Sequence, residues 1–483
     1  MEITIPPFDL KSIAPIILIT IAGIVVLMTD VFFKKLPKET LGYLSFLAVL
    51  ITGLITFSQT GSPVYSFSNT FVVDNFSIFF NYIFLMSTAI VILMSVNYLH
   101  QEGVNFGEYY TLILFATMGM MLMAGAADLI TVFLGLEIMS ISLYVLAGFK
   151  RDRLESNESA LKYFLLGAFA TCFLLYGMAL LYGATGTTNI KEIATFITNN
   201  HAFSSPMIIM GASLLIIGFG FKMASVPFHK WVPDVYEGAP TSVTAFMSAG
   251  PKAAAFAVFL RVFLISLPGL EQKWSVILWV LAALTMTVGN VVAIAQTNIK
   301  RMLAYSSIAH AGYVLMAIVT ASSLGTASIL FYLLVYVFMN LGAFAVIIIL
   351  GKRGEENLRI DDYNGLGYKH PIMAIVMSIF MFSLAGIPPF AGFMGKFYIF
   401  SAAIKSGYII LAIIGVINSV ISVYYYLRVT VVMYMKQPTR EFAPLSLSPY
   451  IILALVITIW GTIHLGIFPS SIIELAQKSV LLQ

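Results

Sequence analysis

The sequence predicts an all-α polytopic membrane protein of about fourteen transmembrane helices, arranged as two inverted five-helix repeats that each contain a broken helix. Three observations carry this. Of 483 residues, 60% are hydrophobic and only 10% charged, against about 45–50% and about 25% in soluble domains. Apolar runs of about 20 residues, long enough to cross a hydrocarbon core about 30 Å thick, recur along the whole chain. Two of these runs are interrupted by proline and glycine and carry a lysine.

In chain order, the apolar runs place spans at roughly 13–33, 41–59, 77–98, 109–127, 129–149, 160–184, 206–225, 240–267, 274–297, 302–320, 326–350, 371–404, 408–435 and 449–469. No basic segment followed by a small-residue cleavage site precedes the first run, so it reads as a retained span. No hydrophilic stretch is long enough for a separate soluble domain; the longest connection, Gly351 to His370, has about twenty residues. The chain divides into an N-terminal three-helix segment (1–108), a first five-helix unit (109–267), a second (268–435), and a C-terminal helix and tail (436–483).

Lysine and arginine collect in the odd-to-even connections: Lys34, Lys35, Lys38, Lys150, Arg151, Arg153, Lys230, Lys300, Arg301, Lys352, Arg353, Arg359, Lys369, Lys436 and Arg440. The opposite set holds isolated cations such as Lys11, Lys191, Lys273, Lys405 and Lys478. The positive-inside rule then puts both termini on the non-cytoplasmic side. A net charge of +4 with no basic aromatic run excludes a nucleic-acid partner. One cysteine, Cys172, cannot form an intrachain disulfide, an iron–sulfur cluster or a zinc site. "GFGFK" and "GLGYK" lack the strand–turn–helix context of a nucleotide site. Of six histidines, only His229 and His310 fall where chemistry is expected. No metal or cofactor ligand set emerges.

Seven charges lie inside the spans: Glu137, Lys162, Lys222, Lys252, Arg261, Lys396 and Arg428. Each costs a few kcal/mol at the bilayer centre by insertion scales, so each is a functional candidate with a partner to be named. Lys162, Arg261 and Arg428 lie within about two turns of a span end, where long side chains snorkel to the headgroups. Glu137 is about eight residues into its span, about 12 Å deep. Ser140 and Tyr144 share its helix face and could donate to a buried carboxylate. Lys252 is equally central. A static buried ion pair is the bland alternative, and such pairs contribute little net stability.

Lys222 precedes "SVPF" and Lys396 follows "GIPPFAGFMG", so Pro227 marks one helix break and Pro388 with Pro389 another. Proline removes a backbone donor, and freed backbone groups at membrane depth survive only where protein or a water-filled cavity satisfies them. Spans seven and twelve, five apart, run in opposite directions, which points to an inverted repeat of spans four to eight and nine to thirteen with an ion site near the midplane. Desolvation weakens a lysine's hold on its proton and a nearby carboxylate strengthens it, so moving Glu137 relative to Lys222 could load or release a proton. His229 and His310 are candidate relays in such a pathway. Sodium would call for more than one deep carboxylate.

"LGLEIMSISLYVLAGF", "FKMASVPFHKWVPDVYEGAPTSVTAFMS", "KRMLAYSSIAHAGY" and "AGIPPFAGFMGKFYIF" resemble the signatures of the antiporter-like membrane subunits of respiratory complex I, the proton-translocating NADH:quinone oxidoreductase. The resemblance runs from the third span to the fourteenth. It is closest to the N-type branch, the counterpart of mitochondrial subunit two: only about fourteen residues follow the last span, where the L-type has a long lateral helix, and Lys396 stands where the M-type has a glutamate. It implies fourteen helices in two inverted units, with Glu137 modulating the proton-accepting Lys222, Lys252 as central relay, Lys396 as exit-side lysine, and His229 and His310 as relay or gating groups. It further implies an inner (plasma) membrane of a prokaryote or an organelle, neighbouring antiporter-like membrane-arm subunits, and NADH, FMN, iron–sulfur clusters and quinone bound in other subunits, with no cofactor in this chain. Alternatives are a monovalent cation/proton antiporter subunit with the same lysines, an unrelated substrate transporter, and a purely structural membrane subunit.

Overall fold

A computed structural model describes residues 9–351, 357–439, 442, 445 and 447–481. Lys352, Arg353 and Arg440, counted above for orientation, lie outside the described residues. Helices dominate: α1 (Ala14–Phe32), α2 (Glu39–Ser58), α3 (Asn75–Glu102), α4 (Gly107–Gly125), α5 (Leu129–Ala147), α6 (Leu154–Thr185), α7 (Ile190–Asn199), α8 (Pro206–Met223), α9 (Trp231–Gly238), α10 (Thr241–Arg261), α11 (Glu271–Ile294), α12 (Ile299–Val319), α13 (Ser323–Leu350), α14 (Leu366–Lys369), α15 (Pro371–Ala385), α16 (Ala391–Lys405), α17 (Ile409–Met435), α18 (Pro449–Ile467) and α19 (Ser470–Lys478).

Among the described residues, thirteen helices are long and apolar enough to cross a membrane. The shorter α15, continued by α16, makes the fourteenth span. Nearly all of α3, α10, α12 and α13 is buried, whereas α1, α2, α6, α11, α17 and α18 present broad apolar faces outward. The interior helices are therefore wrapped by lipid-compatible ones.

Two elements add to the expected all-helical plan. Val64–Ser66 pairs antiparallel with Phe71–Val73, and α7 is a short helix with a one-sided apolar face of Ile190, Ile193 and Ile197, all buried. The seventh span also extends further than its apolar run suggests. It ends at Met223, turns, and resumes as α9, whose polar residues hide it from a hydropathy reading.

The inverted repeat is visible in the backbone. One constant shift along the chain carries Gly119 onto Gly289, Asp128 onto Asn298 and Asn189 onto Arg359. Gly119 and Gly289 each let α4 and α11 approach the following helix, since a Cβ there would lie 2.6 Å from main-chain atoms of Gly135 and Met139 or of Ala309. Asp128 and Asn298 cap α5 and α12, each accepting from the backbone N–H two residues on. Both caps form a lone antiparallel bridge, Asp128 with Asn189 and Asn298 with Arg359. Because α5 and α12 cross in opposite directions, the two bridges lie on opposite membrane faces.

Candidate functional site

Both breaks end the first half-helix in the left-handed region, at Ala224 (φ 63°) and Gly386 (φ 87°). At the first break, Ser225 N–H donates to the Gly220 carbonyl at 2.9 Å, and the Trp231 indole donates to Phe221 O at 3.0 Å. At the second, Gly386 and Ile387 N–H groups turn back to Phe382 O. Gly392 packs against α15 so closely that a Cβ would meet Ser383 O at 1.8 Å. Pro227, Pro388 and Pro389 all lie in these turns, so the freed groups are met from within the protein.

Lys222 is in the last turn of α8, 5% exposed. Its ammonium donates to Ser140 Oγ at 2.7 Å and Tyr144 OH at 3.3 Å on α5. The rings of Tyr144, Tyr163 and Phe221 surround it at 5.4–5.9 Å, a distance at which aromatic faces attract a cation. Ser140 thus serves the lysine as acceptor and gives its own hydrogen to Leu136 O at 2.5 Å, where a donor to Glu137 was expected. Glu137 is half-buried and accepts from Thr171 of α6 at 3.1 Å. Among the described residues Glu137 forms no ion pair within 4.0 Å with any lysine.

Lys252, central in α10, donates to Ser307 Oγ at 2.7 Å and Ser307 O at 3.2 Å on α12, under the Tyr236 ring of α9. One turn along α12, His310 bonds the Tyr332 hydroxyl through Nδ1 and that of Tyr426 at 2.9 Å through Nε2. Lys252, Ser307, His310, Tyr332 and Tyr336 share a cavity with room for about one water. Lys396, in α16, reaches back across the break: its Nζ donates to Leu384 O (3.1 Å), Ala385 O (2.9 Å) and Ser419 Oγ (3.0 Å), and lies 5.0 Å from the Tyr313 ring centre. Those carbonyls are the negative end of α15, where a cation is favoured.

The two break lysines come from opposite sides of their breaks, one before and one after, yet each puts an ammonium near the C-terminal end of a half-helix. α9 lies between the first two stations. Its Trp231 stacks on Tyr163 and Phe221 beside Lys222, and its Tyr236 covers Lys252. Ion pairs hold it at both sides: Asp234 with Lys162 of α6 and Arg301 of α12, each at 2.9 Å, and Glu237 with Arg301 at 2.8 Å.

His229 is half-buried at the turn, and its Nδ1 has no hydrogen-bond partner among the described residues. The structure joins it to none of the lysines. The three cations read as snorkelling are instead paired. Arg261, 3% exposed, grips Asp74 with two nitrogens at 2.9 and 2.8 Å and donates to Ala124 O; Lys162 binds Asp234 and Glu158; Arg428 caps Ile294 O and Gln296 O.

The sequence pattern of the family described as NADH:quinone oxidoreductase/Mrp antiporter, TM, matches residues 126–422, which contain every lysine of the site. A protein of Trichlorobacter lovleyi named NADH-quinone oxidoreductase subunit N is 54% identical over 98% of this chain and 97% of its own length. This chain belongs to the subunit N family. A subunit N of Chloroflexus aggregans is 44% identical over 99% of both chains. Among solved structures, a chain of respiratory complex I from Thermus thermophilus with bound aureothin superposes with a TM-score of 0.80 at 32% identity, covering 95% of this chain and 98% of that one.

Sequence reasoning about this subunit N family member overlooked Ser307, Tyr332, Tyr426, Tyr236 and the acidic pair of α9. A serine or tyrosine in a membrane helix carries no cost that marks it out, so only Asp234 and Glu237, acids flanked by apolar spans, left a signal.

Proposed function

We propose that the chain works as a proton-translocating subunit in the membrane arm of an NADH:quinone oxidoreductase, with Glu137, Lys222, Lys252, His310 and Lys396 as its proton-handling groups. The observation that carries this reading is shared by the three lysines: each is buried, and among the described residues its ammonium is held by hydroxyls and carbonyls alone. A structural ammonium in the interior is normally matched by a carboxylate. One with neutral partners can lose its proton without leaving an uncompensated anion behind.

Protons would pass from the Lys222 station beneath α9 to Lys252, across the Ser307 and His310 cavity, and along the Tyr332 and Tyr426 hydroxyls toward Lys396. Glu137, close enough to act through space but not bonded to Lys222, would favour the charged lysine. The divisions at 1–108, 109–267, 268–435 and 436–483 then become a leading segment, a first and a second proton-handling unit, and a closing helix. The lone Cys172 supports redox chemistry residing in partner subunits that bind NADH, FMN, iron–sulfur clusters and quinone. The cation-rich connections support placing both termini outside the cytoplasm, in the inner membrane of a prokaryote.

The test uses membranes carrying Glu137→Ala, Lys222→Ala or Lys396→Ala, with assembly checked on a native gel. NADH-driven quinone reduction and proton uptake into vesicles are followed together. Both should fall together in the assembled variants; wild-type rates for both would refute the reading.

A further inference from the structure

The shift that relates the two inverted units carries Glu137 onto Ser307 and Ser140 onto His310. In the first unit, Ser140 binds the lysine and Glu137 stands aside against Thr171. In the second, the residue in Glu137's place is itself the lysine ligand: Ser307 holds Lys252 through both its hydroxyl and its carbonyl. A side chain that can hold charge has been exchanged for a neutral hydroxyl at a point where the units meet, since Lys252 belongs to the first unit and Ser307 to the second.

The Ser307 hydroxyl has a second relevant feature. It is 1% exposed, accepts from Lys252 at 2.7 Å, donates to Ala304 O at 2.8 Å, and borders the water-sized cavity that His310 also lines. A hydroxyl can accept and donate at once.

We propose that Ser307 is a proton-transfer residue, the neutral counterpart of Glu137, that takes a proton from Lys252 and passes its own hydrogen into the cavity shared with His310. The step balances with one water in the cavity as acceptor. One N–H bond of the ammonium breaks and an O–H bond forms on Ser307; the original O–H breaks as its hydrogen turns from Ala304 O and forms an O–H bond to that water, which carries the proton on as hydronium. Lys252 ends as a neutral amine, Ser307 is regenerated, and the proton is on the second unit's side. The inference rests on the proton-translocating reading above.

The test compares Ser307→Ala, Ser307→Cys and Ser307→Thr with Lys252→Ala in the assembled complex. It measures NADH-driven proton uptake per complex and the ratio of rates in H2O and D2O. Removing a group that transfers a proton should slow uptake at least about tenfold and raise the isotope ratio in Ser307→Ala; Ser307→Thr, which keeps the hydroxyl, should stay within about twofold. The Ala304 and Ser307 carbonyls are unchanged in all three, and Ser307→Cys, similar in size with a weaker acceptor, provides the same comparison should Ser307→Ala not assemble. Wild-type uptake and isotope ratio in Ser307→Ala or Ser307→Cys, with Lys252→Ala inactive, would overturn the role of Ser307 alone. Wild-type uptake in Lys252→Ala as well would overturn the underlying reading.

Discussion

Arg261→Met should destabilise the protein by about 3–5 kcal/mol, the usual cost of removing one partner from a buried ion pair. The figure follows from the geometry. Arg261 is 3% exposed, makes two charge-assisted bonds to Asp74 and a third to Ala124 O, and ties the first turn of α3 to the ends of α4 and α10. Without it, the Asp74 carboxylate keeps only its cap on Ser77 N–H at 2.8 Å. The double change Asp74→Asn with Arg261→Met should recover most of the loss, because a neutral cap leaves no unpaired charge. Burial alone would raise the Asp74 carboxyl, but the Arg261 guanidinium and the Ser77 bonds hold it below its ordinary value of 3.8. A lowered value means the contribution is complete above about pH 4 and is lost as pH falls through the native value. Heating detergent-solubilised assembly and scoring the intact fraction on native gels, from neutral pH down to about pH 3, measures both. A single variant within about 1 kcal/mol of wild type, or one that keeps the wild-type acid limb, would refute the reasoning.

Other expectations are equally specific. Gly392→Ala should abolish assembly, read by immunoblot of the native complex, because its methyl would lie 1.8 Å from Ser383 O. Arg301→Gln releases Asp234 and Glu237 of α9 from α12, leaving Asp234 held by Lys162, and should lower proton uptake severalfold while the complex still assembles; partly exposed pairs of this kind contribute only about 1 kcal/mol to stability. Ser140→Ala removes the nearest acceptor of Lys222 and should slow uptake by about tenfold, with Ser140→Thr close to wild type.

The spans were legible because a bilayer imposes a length, and the breaks because proline and glycine interrupt it. The lysines announced themselves as charges inside apolar runs. Their partners did not. Asp74 lies 187 residues from Arg261 in the chain, so a local reading could only send the arginine to the headgroups. Ser140 was placed on the right face, but direction was lost: a helix wheel shows that a serine and a glutamate are neighbours, not that the serine turns to a lysine on another helix. α9 was missed because its Asp234 and Glu237 lower the hydropathy of a segment that is nevertheless the second half of a span. His229 and His310 looked alike in sequence; packing from α13 and α17 brings tyrosines to one and leaves the other at the edge of a turn.

An ammonium has three hydrogens, and Lys396 has three acceptors: Leu384 O, Ala385 O and Ser419 Oγ. A neutral amine has two hydrogens. Loss of a proton therefore obliges Lys396 to let go of one acceptor, and the three are not equivalent. The two carbonyls terminate α15 and have no hydrogen to hand on, whereas the Ser419 hydroxyl can both accept and donate, its own hydrogen directed to Ala385 O at 3.5 Å. Under the proton-handling role proposed for Lys396, discharge would run toward α17 and would require the Ser419 hydroxyl to turn from the end of α15.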